Sequence, residues 1–456
     1  MGGILNWMHT SSLCLLRFLR TGVLFMKPCG IGLVMVAWAA AVSKVVSAID
    51  DFERPPISYS ASTPSNPVET LARQLDAGEV DLAFDSKRGY LAALLEALSI
   101  PVESQALVFS RTSLQRHRIS PRTPRAIYFN SDVYVGFCQS GEVIEMSAAD
   151  TTLGTVFYTL DQTDAAKPTI MRQTENCLLC HGSSRTGGVP GHVVRSLFVD
   201  AAGEPILSAG STMVDHTTPF EKRWGGWYVT GTHGGMNHAG NLIVPRSASP
   251  HTIDNADGQN RTDLDGLVKL DRYLSPHSDI VALMVLEHQS LVHNRITQAN
   301  FQTRQALDYE ATLIEALGEP KGKRLDSTTR RIAAAGDALV EALLMVDEAE
   351  LTAAVRGTSG YTEWFEGQGP RDAQGRSLRD LELKGRLFTY PCSYLIYSKS
   401  FDALPDVMRD YVWQQLLAIL SGLDASEKFA HLTAEDRKAI LKIIRDTKPG
   451  LPASWQ

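Results

Sequence analysis

The run Asn176-Cys177-Leu178-Leu179-Cys180-His181-Gly182 sets two thiols and an imidazole side by side. Its order is C-x-x-C-H, the attachment pattern for c-type haem. The two thiols add as thioethers across the two vinyl groups, and the two-residue spacer matches their separation. The adjacent imidazole lies beneath the iron as the proximal ligand. Two other chemistries use paired thiols. A redox dithiol does not need His181, and a zinc site needs a further Cys or His pair at short spacing, which does not follow closely. The pattern predicts one covalent haem c on Cys177 and Cys180, with His181 on the iron.

A second axial ligand must come from a segment that folds back over the ring. Thr232 to Asn241 is rich in Gly and His and offers His233, Met236 and His238. Glycines 231, 234, 235 and 240 let backbone approach a flat macrocycle. The alternative is a glycine turn whose imidazoles cap strands. His216 precedes a turn at Thr217-Thr218-Pro219, and His288 lies on an apolar helix, where a satisfied core histidine is the usual finding. His293, at i+5 from His288, reads as solvent-facing or a cap. Arg195, Arg223, Trp224, Trp227 and Tyr228 are candidates for propionate or ring-edge contacts, since guanidinium pairs with carboxylate and indole N–H donates. They also read as strand residues alternating between core and solvent. Arg111, Arg116, His117, Arg118, Arg122 and Arg125 form a basic run, either a docking patch for an electron partner or a solvated charged face. No residue pattern identifies a catalytic group.

The elements that position these residues fall into two halves. Residues 49–67, with Pro55-Pro56, Pro64 and Pro67, read as an extended lead-in, with disorder as the alternative. Residues 68–98 carry leucines at helical spacing. Runs at 125–130, 133–137, 143–146 and 155–160 are β-branched and aromatic, and Asn130-Ser131-Asp132 supplies a turn. After a glycine-rich loop at 182–191, residues 193–199 and 205–213 read as a hairpin and 223–231 as a further strand. From about 266 the pattern is helical: Ile280–Phe301, Tyr309–Leu317, Thr328–Met345, Met408–Leu420 and Ala434–Arg445, with Gly357–Ser377 as a surface loop. The expected fold class is α+β, an antiparallel-sheet-containing N-terminal half with the haem motif and a helical C-terminal half. The expected divisions are a presequence (1–48), the lead-in (49–67), a haem-bearing α+β region (68–250) and a helical region (266–456).

The chain has 456 residues, 44% hydrophobic and 21% charged, ample for a core. A net charge of −7 argues against a nucleic-acid partner. Met26-Lys27, the apolar run Ile31–Ala40 and the small residues Val46-Ser47-Ala48 read as a signal peptide with translation starting at Met26 and cleavage after Ala48. The rival is an uncleaved anchor, which would allow association with a membrane surface, but Lys44 interrupts the apolar run. Both place the body outside the cytoplasm, where Cys138 and Cys392 either pair or stay as two buried thiols.

The C-x-x-C-H stretch resembles the cytochrome c superfamily, and the rest of the chain looks like larger extracytoplasmic bacterial proteins that contain a cytochrome c domain. The resemblance implies haem attachment on the outer side of the inner membrane, in the periplasm. In the small mono-haem members a Met some tens of residues downstream is the sixth ligand. Met236 lies 55 positions after His181 and Met213 lies 32 after it; the resemblance implies a Met ligand and spacing favours Met236, with the loop's own imidazoles, His238 and His233, following nearly level. Three functions are expected. The first is single-electron transfer with redox partner proteins. The second is a haem enzyme with an open distal side acting on a small molecule, and the third a haem-containing sensor or interaction protein.

Overall fold

Six short runs of alternating residues assemble into one sheet in the computed structural model, which describes residues 51–455 except 247, 250 and 251. The segment expected to be a presequence lies outside the described residues. Ahead of the sheet, α1 (Pro67–Ala77) begins where the Asn66 side chain accepts the Glu69 N–H and stops at Gly78, whose φ of 71° places it in the left-handed region. After α2 (Leu91–Ala97) come β1 (Ala106–Val108), β2 (Arg125–Phe129), β3 (Val133–Phe137), β4 (Val143–Asp150), β5 (Gly154–Asp161) and β6 (Ile170–Gln173). Each pairs antiparallel with the next, in sequence order.

Because side chains alternate across a strand, the register assigns each residue to a face. One face carries Ala126, Val135, Ile144, Met146 and Tyr158. It packs on Leu71, Leu75, Leu91 and Leu94 of α1 and α2 in a closed core. The other face carries Arg125, Ile127, Tyr134, Gly136, Glu145, Ser147, Phe157 and Thr159. Along β4 the first face is buried and the second half-buried. The lead-in is folded rather than disordered: Phe52, Ile57 and Tyr59 are buried in the first core, and the Tyr59 hydroxyl donates to the Thr155 carbonyl at 2.9 Å.

The C-x-x-C-H run follows β6 as one helical turn, α3 (Leu178–His181). The hairpin expected at 193–213 is reduced to two-residue strands, β7 (Arg195–Ser196) and β8 (Thr212–Met213). Residues 223–231 form no regular strand, and their β-pairing is limited to single bridges at Trp227 and Thr230. The pleat is broken where Trp224 and Gly226 take φ of 67° and 82°.

The C-terminal half is helical: α4 (Ile280–Leu317), α5 (Asp326–Leu343), α6 (Tyr361–Glu366), then β9 (Leu381–Lys384) and β10 (Arg386–Phe388), α7 (Lys399–Asp402), α8 (Asp406–Leu420) and α9 (Ala434–Thr447). The fold is α+β, with the sheet in the N-terminal half and helices dominating the C-terminal half. The two helices expected at 280–301 and 309–317 are one, of 38 residues. The connecting Gln302-Thr303-Arg304-Gln305-Ala306-Leu307-Asp308 holds neither Gly nor Pro to stop it. The surface loop at 357–377 contains α6, whose Tyr361 and Phe365 are buried. Among the described residues no helix is long and apolar enough to cross a membrane.

Candidate functional site

Cys177 already has helical dihedrals, and the His181 N–H donates to its carbonyl at 3.0 Å. Residues i, i+3 and i+4 of a helical turn share a face, so Cys177, Cys180 and His181 project together. All three line a cavity of about 430 Å³ over the half-buried face of the sheet. Leu178 turns into the core and Leu179 outward. The two cysteines are free thiols, Cys180 exposed and Cys177 partly buried. Burial, followed by the Glu145 carboxylate, pushes the Cys177 thiol up to about 11.

His181 is fixed from behind. Its Nδ1 lies 2.9 Å from the Gly191 carbonyl, so Nδ1–H donates there and Nε2 keeps its lone pair. The Gly191 N–H returns a bond to the His181 carbonyl at 2.8 Å. Between them the Thr186 hydroxyl reaches the Val189 carbonyl at 2.6 Å and braces the loop. Burial holds the imidazole below its ordinary pKa, in the neutral form that a metal requires. Its ring sits 5.0 Å from that of Phe157 on β5.

The other wall brings in residues distant in sequence. Arg125 and Glu145 form an ion pair at 2.5 Å. His192 packs at 3.9 Å from the Tyr134 ring. Both His192 nitrogens have hydroxyl partners, Ser147 at 3.1 Å and Thr155 at 3.3 Å. Arg185, Arg195 and Trp227 complete the rim, the Trp227 indole donating to the Arg195 carbonyl at 2.7 Å.

Of the residues singled out in the sequence, the cavity thus gathers Cys177, Cys180, His181, Arg195 and Trp227. It does not gather Arg223 or Trp224, which both donate to the buried Glu287 carboxylate, Arg223 at 3.0 Å. Tyr228 is bonded to the Pro121 carbonyl. Met236, His233 and His238 do not line the cavity either. The two imidazoles pack against Phe220 and Trp224 with ring centroids 5.5 and 5.3 Å away. Each accepts a backbone N–H, His233 from Asn260 and His238 from Gly240. His216 and His288 bond one another at 3.1 Å in the core. His293, expected at the surface or as a cap, is buried and bonded to the Ser131 carbonyl at 2.9 Å. Cys138 and Cys392 are separate buried thiols. In the basic run Arg111 pairs with Glu204, Arg118 with Glu142 and Arg125 with Glu145, and His117 bonds Glu142 at 3.2 Å.

Sequence reasoning missed Arg185, His192, Glu145 and the cavity role of Arg125 and Tyr134. The one available signal was the polar phase of β4, where Glu145 and Ser147 alternate with Ile144, Met146 and Ala148. Among the described residues no group of three or more His, Cys, Asp or Glu side chains is arranged to hold a metal ion. No protein-family model, curated protein or solved structure matches the chain.

Proposed function

We propose that the protein is an extracytoplasmic mono-haem c-type cytochrome that works by single-electron transfer. The observation that carries this reading is the projection of Cys177, Cys180 and His181 from one helical turn into one cavity. Four features of the cavity suit the ring. Its volume lies within the roughly 300–1,000 Å³ of small-molecule and cofactor sites. Leu114 and Leu179, 60% and 66% exposed at the wall, would gain apolar cover. The wall holds Arg125, Arg185 and Arg195 against Glu145, a positive excess matched to a ring with two propionates. The Arg195 Nε is buried without a hydrogen-bond partner.

Cys177 and Cys180 would hold the ring covalently, His181 would supply the proximal nitrogen, and the arginines of the wall, Arg125, Arg185 and Arg195, would be the cations available to the propionates. Bound haem supplies a one-electron couple. Cys180 is exposed, so a ring attached there would present that edge to a redox partner. The presequence reading and the haem-c reading agree on an extracytoplasmic address.

A second reading, a haem enzyme open on its distal side, is favoured by the cavity's other donors. His192 is engaged at both nitrogens, and Met146 belongs to the opposite face of the sheet. In this reading a small molecule takes the position that a sixth ligand fills in the first.

The test is expression with haem-attachment machinery followed by haem-stained denaturing gel electrophoresis. Wild-type protein is expected to stain. Cys177→Ala with Cys180→Ala is expected to lose the stain completely, and surviving stain would sink the assignment. A low-spin ferric spectrum unchanged by cyanide supports electron transfer alone, and a high-spin spectrum that cyanide converts supports the open site.

A further inference from the structure

Ser290 is an unusual residue for the wall it occupies. It stands on α4 one turn after Leu286, and both line the cavity, as do Val108, Ile127, Val194 and Trp227. Ser290 is 4% exposed, and its hydroxyl has no hydrogen-bond partner. It does not turn back to the Leu286 carbonyl, the common resort of a serine inside a helix. A buried hydroxyl left unpaired costs stability, so the fold bears this group at a loss.

The bonds beside it have a direction. The Gln289 amide nitrogen donates to the Asn130 carbonyl at 2.8 Å, which settles which end of the amide is nitrogen, and to the Tyr134 hydroxyl at 2.7 Å. The Gln289 oxygen accepts from the Tyr394 hydroxyl. Donation therefore runs from Tyr394 through Gln289 to Tyr134. Tyr134 accepts at its oxygen, so its own hydrogen points away from Gln289. The Ser290 hydroxyl stands beside it. The chain thus enters the cavity with hydrogens leading, and the acceptors of the wall are engaged. Glu145, the one carboxylate among the described lining residues, meets Arg125 at 2.5 Å and Gln115 at 3.2 Å. His192 is held at both nitrogens. Arg125 and Arg195 add to the imbalance, each with a buried Nε that no acceptor meets. Three unpaired donors in one cavity require an occupant that brings acceptors, and the guanidinium charges select an anionic one.

The place of Ser290 suits a particular part of that occupant. Tyr134, Ser147 and Phe157 form one row across β3, β4 and β5. His181 lies against Phe157 at one end of the row, and Ser290 lies beside Tyr134 at the other. Two strand spacings, roughly 10 Å, separate those ends. A haem carries its propionates on the edge away from its vinyl groups, so the end far from the cysteine turn is where its carboxylates belong.

We infer that the Ser290 hydroxyl is a fixed donor to a carboxylate of the cavity's occupant, a carboxylate-bearing tetrapyrrole, while the arginines of the wall supply the opposing charge. The inference rests on the haem reading above for the identity of the occupant. It adds that the site recognises the acid groups of the ring and not only its thioether positions.

The experiment uses full-length protein expressed without attachment machinery. It is titrated with deuteroporphyrin IX, which keeps both propionates and lacks vinyl groups, and with its dimethyl ester, each followed by porphyrin fluorescence. Wild type is expected to bind the diacid at least tenfold more tightly than the diester. Ser290→Ala is expected to weaken the diacid about tenfold, as for a hydrogen bond to a charged group, and to leave the diester within a factor of about three. It is also expected to raise the melting temperature of the empty protein, because it removes an unpaired buried hydroxyl. Ser290→Thr, which keeps the hydroxyl, is expected to hold the diacid within a factor of about three of wild type. Equal diacid affinities in wild type and Ser290→Ala overturn the proposal. So does a Ser290→Ala protein that melts lower and loses both porphyrins alike, since the hydroxyl would then serve the fold. Haem staining of wild type expressed with the machinery is scored in parallel. Stain together with an indifferent Ser290→Ala sinks the carboxylate contact alone, and absence of stain sinks the haem reading beneath it.

Discussion

At the scale of single residues, burial sets the behaviour of Glu348. Its carboxyl lies on the wall of a second cavity, beside Arg386 and His431, and accepts the Leu387 N–H at 2.7 Å. Burial pushes its pKa up to about 7, against the opposing pull of that bond and of Arg223 and Arg386. A carboxyl whose pKa is higher in the folded chain binds its proton more tightly there. Its stabilising contribution is therefore complete below the ordinary value and is lost as pH rises through about 7. Wild-type unfolding free energy is expected to fall by on the order of 2 kcal/mol between pH 5 and 8 from this group. Glu348→Gln keeps an acceptor for Leu387 and has nothing to titrate. Urea denaturation across that range is expected to show a flatter profile for the variant, and parallel profiles would refute the assignment. Glu287 is a different case. Burial raises its pKa, but Arg223 and Trp224 both donate to it. Such a group is best regarded as one half of a pair, costly to break from either side.

Among the elements, α4 carries the greatest structural burden, and Asp279 starts it. One carboxylate oxygen accepts the N–H groups of Val281 and Ala282, at 2.8 and 3.1 Å. The other accepts the N–H groups of Thr358 and Ser359, at 2.6 and 2.9 Å. A single buried side chain thus caps the helix and fastens the segment leading into α6. Asp279→Ala is expected to cost about 3 kcal/mol, about 1 for the cap and the rest for stranded buried donors. The check is chemical denaturation, with Asp279→Asn recovering part of the loss. A loss below 1 kcal/mol would show that water replaces the carboxylate. The strands were legible because β-branched and aromatic runs need no partner to be recognised, and β2 to β5 lie where those runs do. The 223–231 segment misled for the same reason. Its residues suit a strand, but positive φ at Trp224 follows from burial of the indole on Glu287, a contact 63 residues away. The cavity shows the limit more sharply. Cys177, Cys180 and His181 are readable because their geometry is local to one helical turn. Arg125, Gly136 and Glu145 become neighbours only through strand register, and His192 only through the loop that Asn294 anchors.

For the molecule as a whole, the sheet stands between two cores. One lies under α1 and α2, and the other takes in β1, the cavity-side residues Tyr134, Val194 and Trp227, and most of the C-terminal helices. The long helix runs past the sheet with its first four turns buried nearly all round, so the C-x-x-C-H turn and the helical half are joined by packing and not only by chain. Asn294 of α4 makes the connection specific. Its amide accepts the His192 N–H at 2.8 Å and donates to the His192 carbonyl at 2.8 Å. The preceding Gly191 is doubly bonded to His181. In mechanical terms this is a strut. A rigid rod ends in a two-point clamp, and the clamp ends in the imidazole that the iron would sit on. The ring therefore has little freedom of its own, and its orientation follows that of the rod. One consequence is uniformity: a population of loaded molecules should share one imidazole angle and give narrow magnetic resonance lines. Asn294→Ala removes both clamp bonds and leaves the attachment residues untouched. It is expected to broaden the ferric electron paramagnetic resonance signal without reducing haem staining, whereas unchanged line widths would mean that the loop holds the imidazole unaided. The other consequence runs in the opposite direction, because a push on the far end of a stiff lever is felt at its tip. Any force that tilts α4 where it meets α5, far along the chain from the cavity, would be delivered to the iron as a twist.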